Sequence, residues 1–188
     1  MERIDIRFSK QMIDLLRKQV NSTFVKFKAD PFIFGNNVYG KLGIYTDSDI
    51  LLLLDETDVL DYFGDSEDIC KLEILEATED EIISGLKDVT QVDTCINRKI
   101  KKIGIVQEIQ TMNKNDSPLY ELCFTHGLIF YLEDGLEISF EQTNPFVEDI
   151  AICQGYDLIT SFNSLDTTSD VCEDGYTLQK SRYIDMIE

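Results

Sequence analysis

The residues that could carry nucleophilic chemistry in this sequence are a single histidine and a few cysteines. The histidine is His126, and the nearest cysteine is Cys123. A nucleophile activated by histidine would have to pair this imidazole with Cys123 or with a distant serine. On the strand predicted for this segment, a spacing of three residues directs the two side chains to opposite faces. We therefore predict no catalytic residue and interpret His126 as an ordinary histidine at a strand end.

Clustered carboxylates are the second possible source of chemistry. Segments 55–61 and 166–175 concentrate Asp and Glu, but neither has the ligand spacing with which an EF-hand loop wraps calcium. The glycine-rich motifs that cradle phosphate groups do not occur. We predict no metal site and no cofactor. A carboxylate- or metal-dependent enzyme is retained as the least favoured alternative.

The cysteines indicate a reducing environment. They are odd in number and form no CxxC pair, which fits neither a disulfide framework nor a zinc site; they are Cys70, Cys95, Cys123, Cys153 and Cys172. The first residues are charged, unlike a signal peptide, and the longest apolar run, Ile50–Leu54, is too short to span a bilayer. These features predict a cytoplasmic protein that does not bind membranes.

The charge of the chain is strongly negative and unevenly distributed. Thirty-six acidic residues face 17 basic ones, which gives a formal net charge of −19. No Lys or Arg occurs from Gly127 to Gly175, and Lys71 is the only one from Leu42 to Leu86. Such a field repels nucleic acids and anionic membranes, whereas it favours association with a basic protein surface.

The elements that position these residues are mostly strands. Apolar residues at helical spacing predict an N-terminal amphipathic helix with Ser9 as its N-cap; they are Phe8, Met12, Leu15, Leu16 and Val20. Two hairpins with acidic turns follow, at Gly43–Glu56 and at Gly127–Glu141. We predict a mostly β (α+β) fold in one compact domain, 1–188.

The two hairpins also suggest an internal repeat. Each is followed by an acidic loop, the tripeptide Glu-Asp-Ile and an apolar strand, so segment 40–76 resembles segment 126–160. Strand patterning alone produces much of this similarity. We predict two similar antiparallel units, arranged as a pseudo-duplicated sheet or as half-barrels.

Four local expectations complete the assignment. Segment 55–67 is predicted to be an acidic connection, and Thr78 with Glu81 to cap a short helix that ends near Leu86. Strands 89–96 and 99–111 are expected to join at a turn at Asn97-Arg98. Segment 176–188 fits either a strand or a helix.

Composition favours a non-catalytic protein that binds a basic protein surface. The more specific form is an inhibitor or immunity-type protein that occupies the nucleic-acid-binding cleft of a nuclease or a similar enzyme. The alternative is a structural module that forms a homo-oligomer through its sheet edges. The residues predicted to contact the partner are acidic, or aromatic and rimmed by carboxylates: Asp61, Tyr62, Phe63, Asp65, Asp134, Glu137, Glu148 and Asp149.

Overall fold

The computed structural model describes residues 2–32, 35–62, 65–160, 162, 168–171 and 175–188. One α-helix and twelve strands occur in these residues, so the predicted mostly β fold with an N-terminal helix is confirmed. The elements are β1 (Glu2–Ile6), α1 (Lys10–Gln19), β2 (Thr23–Ala29), β3 (Asn37–Tyr39), β4 (Lys41–Thr46), β5 (Ile50–Tyr62), β6 (Asp65–Glu76), β7 (Val92–Lys114), β8 (Ser117–Leu132), β9 (Glu137–Gln142), β10 (Asp149–Gly155), β11 (Thr168–Val171) and β12 (Tyr176–Ile187).

Helix α1 begins where the sequence predicts. The Ser9 hydroxyl accepts a hydrogen bond from the Met12 backbone N–H at 3.3 Å, which satisfies one of the free donors of the first turn. Leu16 is fully buried, and Met12 and Leu15 pack against the same core. The apolar face of the helix therefore covers the sheet, and strand β1, which precedes it, was not anticipated.

The strands form one large, open sheet. Its order is β3-β10-β9-β8-β7-β2-β4-β5-β6, and all these neighbours are antiparallel. Strand β1 adds to β8 in parallel, β12 pairs with β7, and β11 pairs with β12.

Strand β7 connects the two sides of this sheet. Its residues 92–99 pair with β2 and its residues 100–114 pair with β8. The predicted turn at Asn97-Arg98 is wrong, because the strand continues through a left-handed residue, Asn97, with φ of 53°. Asparagine tolerates this conformation better than most residues, so a local distortion replaces the expected turn.

The sheet curls around the larger of two apolar clusters without closing. Strand β3 pairs with β10 at one edge and leads through Gly40 directly into β4. The Cys70 N–H, on edge strand β6, donates to the Pro145 carbonyl at 2.7 Å and so joins the two ends. Phenylalanine rings from β2, β8 and β9 fill the centre: Phe24 lies 5.1 Å from Phe130, and Phe130 lies 5.9 Å from Phe140.

The two predicted β units occupy opposite sides of the sheet. Strands β4-β5-β6 form one three-stranded meander and β8-β9-β10 form the other. Their turns differ, since Tyr45 pairs with Ile50 across residues 46–49, whereas Tyr131 pairs with Glu137 across residues 132–136. Gly135, at φ of 88°, accommodates the longer turn. The two turns therefore differ in length by one residue, and the duplication itself stays a prediction.

Other local expectations are corrected. The described residues of segment 55–67, which are 55–62 and 65–67, are strand and not the expected acidic connection, because β5 and β6 remain paired as far as Tyr62 and Asp65. The helix expected after Thr78 is a single 3₁₀ turn, Glu79–Glu81, although the Glu81 carboxylate does accept the Thr78 N–H at 2.7 Å. The last segment is strand β12, whose pairing with β7 runs from Tyr176 to Ile187.

Candidate functional site

Two of the predicted contact residues lie at the β8–β9 turn and are engaged within the chain. Asp134 forms an ion pair with Arg98, with Nε and Oδ2 2.7 Å apart, and this hydrogen bond is the main reason that the Asp134 pKa is lowered. The Glu137 carboxylate accepts the Leu158 N–H at 2.7 Å and so anchors a following 3₁₀ turn. Both carboxylates therefore help to fix local structure.

Glu148 and Asp149 are adjacent residues at the start of β10, and they follow the β8–β9 turn by more than ten residues in the sequence. Glu148 accepts hydrogen bonds from the Tyr39 hydroxyl at 2.6 Å and from the Thr57 hydroxyl at 2.5 Å. These bonds favour the ionised form and lower the Glu148 pKa, with the Thr57 bond the larger cause. Asp149 accepts from the Asn37 amide at 2.7 Å and from the Thr143 hydroxyl. A partner-binding role for these four carboxylates stays a prediction.

The other predicted contact residues belong to the β5–β6 hairpin. Asp61, Tyr62 and Asp65 lie in its strands, but their side chains are outside the described part of the chain, and Phe63 lies outside the described residues altogether. Their backbone register is defined, since Asp61 pairs with Ser66 and Tyr62 pairs with Asp65.

This hairpin extends beyond the rest of the sheet as a two-stranded ribbon. Strand β4 pairs with β5 only as far as Leu54, whereas the β5–β6 ladder continues for eight further pairs, from Asp55↔Leu72 to Tyr62↔Asp65. We call residues 56–70 the acidic ribbon. It contains six carboxylate residues and no Lys or Arg; the acids are Glu56, Asp58, Asp61, Asp65, Glu67 and Asp68.

The base of the acidic ribbon is held by the β9–β10 loop. Glu148 accepts the Thr57 N–H at 3.1 Å, and Pro145 accepts the Cys70 N–H at 2.7 Å. Farther out, the outer edges of Asp58–Tyr62 and Asp65–Ile69 have no additional strand partner among the described residues. Val59, in this outer part, exposes 64% of its surface, and Glu56, Asp58 and Asp68 are exposed as well.

A buried carboxyl group lies just inside that base. Asp55 is 1% exposed, and its Oδ1 accepts the Gln142 side-chain N–H at 2.5 Å. The Asp55 pKa is raised to about 8, mainly by burial and to a smaller extent by the nearby Asp149 and Glu148 charges, while the Gln142 bond opposes the shift. The sequence analysis did not predict a buried carboxyl group here. Asp55 does, however, follow directly after the four consecutive leucines Leu51–Leu54, a pattern that indicates a strand buried on both faces.

His126 occupies a second buried polar site, at a β-bulge. Val106 pairs with Gly127 and Gln107 pairs with Thr125, which leaves His126 as the additional residue on β8. Its ring lies 5.9 Å from the rings of Phe124 and Phe162.

The polar partners of His126 are two glutamates. Its Nε2 lies 2.9 Å from Glu141 Oε1, and its Nδ1, which has no hydrogen-bond partner, lies 3.7 Å from Glu108 Oε2. Glu108, 2% exposed, also accepts hydrogen bonds from the Gln110 amide at 2.7 Å and from Arg182 Nε. The Arg182 guanidinium reaches the Phe162 carbonyl as well. Two hydrogen-bonded groups thus lie side by side in the interior: His126 with Glu141, and Glu108 with Gln110 and Arg182.

This arrangement resembles an oriented general base, but no activated nucleophile accompanies it among the described residues. The Glu141 carboxylate at Nε2 orients the imidazole. A cavity of about 160 Å³ adjoins the cluster, and the hydroxyl of Thr143, which lines it, donates to Asp149 instead. Cys123 donates to Glu121 at 3.4 Å, and burial raises its pKa to about 11, so its thiol is not activated.

The described residues contain no group of three or more His, Cys, Asp or Glu side chains arranged to hold a metal ion. Within the same residues, no helix has the length and apolar character needed to cross a membrane. Comparison of the chain with models of protein families, with curated proteins and with solved structures finds no match.

Proposed function

We propose that this chain is a non-catalytic binding protein that engages a basic protein surface through the acidic ribbon. The observation that carries the proposal is the extension of β5 and β6 beyond their neighbours, in a segment, 56–70, whose sequence contains six Asp and Glu and no Lys or Arg; Lys71, opposite Glu56, follows at its base. The β9–β10 loop holds the base of the ribbon through hydrogen bonds from Thr57 and Cys70. A partner would therefore meet a pre-formed hairpin, which reduces the entropy that binding must overcome.

The chemistry of the ribbon favours a nucleic-acid-binding protein as the partner. Carboxylates can occupy positions in a basic cleft where phosphate groups would otherwise bind, and long-range attraction then increases the association rate. An inhibitor or immunity-type protein that covers the cleft of a nuclease fits this description. Direct binding of the ribbon to nucleic acid is disfavoured, because the phosphate backbone carries the same sign of charge.

Self-association through the ribbon is the weaker alternative. Its unpaired strand edges are a suitable geometry for strand addition. Two copies would, however, bring twelve carboxylate residues together within molecules that each carry a net charge of −19. Repulsion between like charges opposes such a dimer.

Affinity capture with charge-matched variants tests the proposal. The ribbon variant replaces Glu56→Gln, Asp58→Asn and Asp68→Asn, which neutralises three exposed carboxylates. The control variant replaces three exposed acids elsewhere, Asp88→Asn, Asp116→Asn and Glu133→Gln, and so has the same net charge. Each protein is immobilised and exposed to an extract of the source cells at low and at high salt.

We expect the wild type and the control variant to retain a basic protein that high salt or added DNA releases, and the ribbon variant to lose it. Equal capture by both variants would show that total charge, and not the ribbon, determines binding. Capture that is insensitive to salt and to DNA would contradict the proposal.

A further inference from the structure

The base of the acidic ribbon is joined to β9 by one buried side chain, that of Gln142. The residue is fully buried. Its Nε2 donates to Asp55 Oδ1 on β5 at 2.5 Å and to the Cys70 carbonyl on β6 at 3.0 Å. Because a backbone carbonyl can only accept, the nitrogen of the Gln142 amide, and not its oxygen, must face these two atoms. Gln142 therefore connects both strands of the hairpin to the strand that precedes the β9–β10 loop.

One oxygen of each partner is left over in this contact. Asp55 Oδ2 and Gln142 Oε1 are both buried, and neither has a hydrogen-bond partner among the described residues. Native proteins rarely leave a buried polar oxygen without a donor, and two acceptors cannot bond to each other. A proton on Oδ2 would turn that oxygen into a donor.

We propose that Asp55 and Gln142 form a carboxylic acid–amide pair that holds the base of the acidic ribbon, and that loss of the Asp55 proton in alkaline solution releases the base. In this pair the Asp55 hydroxyl donates to Gln142 Oε1, while the Gln142 amide donates to Asp55 Oδ1. Both oxygens are then satisfied inside the protein, without a ligand. The pair deepens the proposed function and rests on it for one consequence, which is that binding through the ribbon weakens as the pH rises.

The groups around Asp55 favour its protonated form. Burial is the main cause that raises the Asp55 pKa, and the Asp149 and Glu148 charges at the start of β10 raise it to a smaller extent. The hydrogen bonds from Gln142 and from the Asp149 backbone act in the opposite direction, and the resulting pKa is about 8. Because this pKa is raised, the closed base is present at lower pH and is lost as the pH rises through about 8.

The other titratable groups at this site do not compensate an ionised Asp55. They are Tyr39, Lys41, Glu56, Cys70 and Lys71. Lys71 forms an ion pair with Glu73, and in the described part of the chain neither it nor Lys41 forms one with Asp55. The Tyr39 hydroxyl donates to Glu148, and burial raises the pKa of the Cys70 thiol, so both groups stay neutral near pH 8.

Ionisation of Asp55 would act on the contacts that hold the ribbon. A charged Oδ2 repels Gln142 Oε1 and requires hydration that this buried site does not provide. Displacement of the Gln142 side chain removes the donor of the Cys70 carbonyl. The loop that follows Gln142 carries the Pro145 carbonyl and the Glu148 carboxylate, which accept the N–H groups of Cys70 and Thr57. When water enters, both strands of the ribbon therefore lose their anchors together.

NMR titration of the isotope-labelled protein from pH 5 to pH 10 tests this inference without a partner. We expect the signal of the Asp55 carboxyl carbon to titrate with a midpoint near pH 8. The carbon signals of Thr57 and Cys70 should change with the same midpoint, because both residues are anchored at the base of the ribbon. The signals of Met112 and Tyr120, a distant pair of β7 and β8, should not follow this transition.

Two variants identify the group that titrates. Asp55→Asn imitates the protonated acid, because its amide can accept from Gln142 Nε2 and donate to Gln142 Oε1 at any pH. In this variant the signals of Thr57 and Cys70 should show no transition near pH 8. Asp88→Asn, at an exposed turn, is the control and should retain the transition of the wild type.

Three results would overturn the inference. The first is an Asp55 carboxyl group that is already ionised at pH 5 in the wild type, which decides the matter even if Asp55→Asn fails to fold. The second is titration of Asp55 near pH 8 while the signals of Thr57 and Cys70 remain unchanged. The third is a transition of these two residues that persists in a folded Asp55→Asn protein.

The acid–amide pair and the proposed function can fail separately, because the titration uses no partner and alters no ribbon carboxylate. Loss of capture in the ribbon variant, together with an Asp55 that is ionised at pH 5, would retain the proposed function and remove the pair. Equal capture by the ribbon and control variants, together with the expected transition, would do the reverse. With a captured partner, the wild type should bind more weakly at pH 9 than Asp55→Asn does, and equal affinities would contradict release of the base.

Discussion

Asp55 is the residue in which burial and titration are most directly linked. Its carboxyl group is almost inaccessible to solvent, and its pKa is raised to about 8 from an ordinary value of 3.8. A raised folded-state pKa means that the folded protein binds this proton more tightly than the unfolded chain does. The contribution of Asp55 to stability is therefore complete below about pH 4 and is lost as the pH rises toward 8.

Asp55→Asn should remove this pH dependence. The variant keeps an oxygen for the Gln142 amide but carries no charge at any pH. Relative to the wild type, its free energy of unfolding should increase from pH 5 to pH 8 by roughly 3 kcal/mol and then level off, because one pKa unit corresponds to about 1.4 kcal/mol. Urea unfolding at intervals of one pH unit measures the difference.

Asp116→Asn, at an exposed turn, is the matched control for that series. Its free energy of unfolding should change with pH in the same way as that of the wild type. A constant difference between Asp55→Asn and the wild type across this range would show that Asp55 is already ionised in the folded protein.

The buried pair Glu108–Arg182 leads to a second prediction. Arg182→Met leaves the Glu108 carboxylate with the Gln110 amide as its remaining strong donor, and an unpaired buried charge typically costs about 3–5 kcal/mol. Adding Glu108→Gln removes that charge, so the double variant should be more stable than Arg182→Met alone. Thermal and urea unfolding of the two single variants and the double variant measure the coupling, and strictly additive effects would contradict it.

The sequence predicted few of the contacts that individual polar residues make. Asp55 and His126 are buried by strands that are distant in sequence, and the bulge that positions His126 depends on the register between β7 and β8. Local patterns do not encode that register. The four predicted carboxylates with described side chains are likewise engaged by distant residues, such as Arg98 for Asp134.

Among the elements, the close approach of the paired strands β8 and β9 at Gly127 leaves no room for a larger side chain. A Cβ atom at this position would lie 2.5 Å from the Phe140 carbonyl oxygen and 2.8 Å from the Phe162 ring. Gly127→Ala should therefore destabilise the protein by about 2–4 kcal/mol, because a backbone atom cannot move aside cheaply. Gly155→Ala, whose Cβ would meet the end of the Leu158 side chain at 3.3 Å, should cost less than about 1 kcal/mol. Equal unfolding midpoints for the two variants would contradict this packing.

Elements with a strong local signal were predicted correctly. Ser9 and the apolar spacing after it placed helix α1, and both hairpins occur where their acidic turns indicated. The errors lie where pairing overrides composition. Segment 55–67 is rich in turn-forming acids, yet the cross-strand ladder keeps it extended, and Asn97 bends β7 without ending it.

For the whole molecule, the net charge predicts the state of association. If the acidic ribbon binds a basic partner, the isolated protein should remain monomeric, because its net charge of −19 opposes contact between copies. Light scattering from low to high micromolar concentration should give a constant mass near 21.6 kDa at moderate salt. A mass that doubles with concentration would favour the homo-oligomeric alternative.

The proposed function requires that the acidic ribbon, and not overall charge, recognises the partner. The most direct test measures the dissociation constant of the purified captured partner against ionic strength, for the wild type, the ribbon variant and the charge-matched control. We predict that the ribbon variant binds at least ~10-fold more weakly at low salt and with a shallower salt dependence, while the control variant follows the wild type. Indistinguishable curves for the two variants would contradict the central claim.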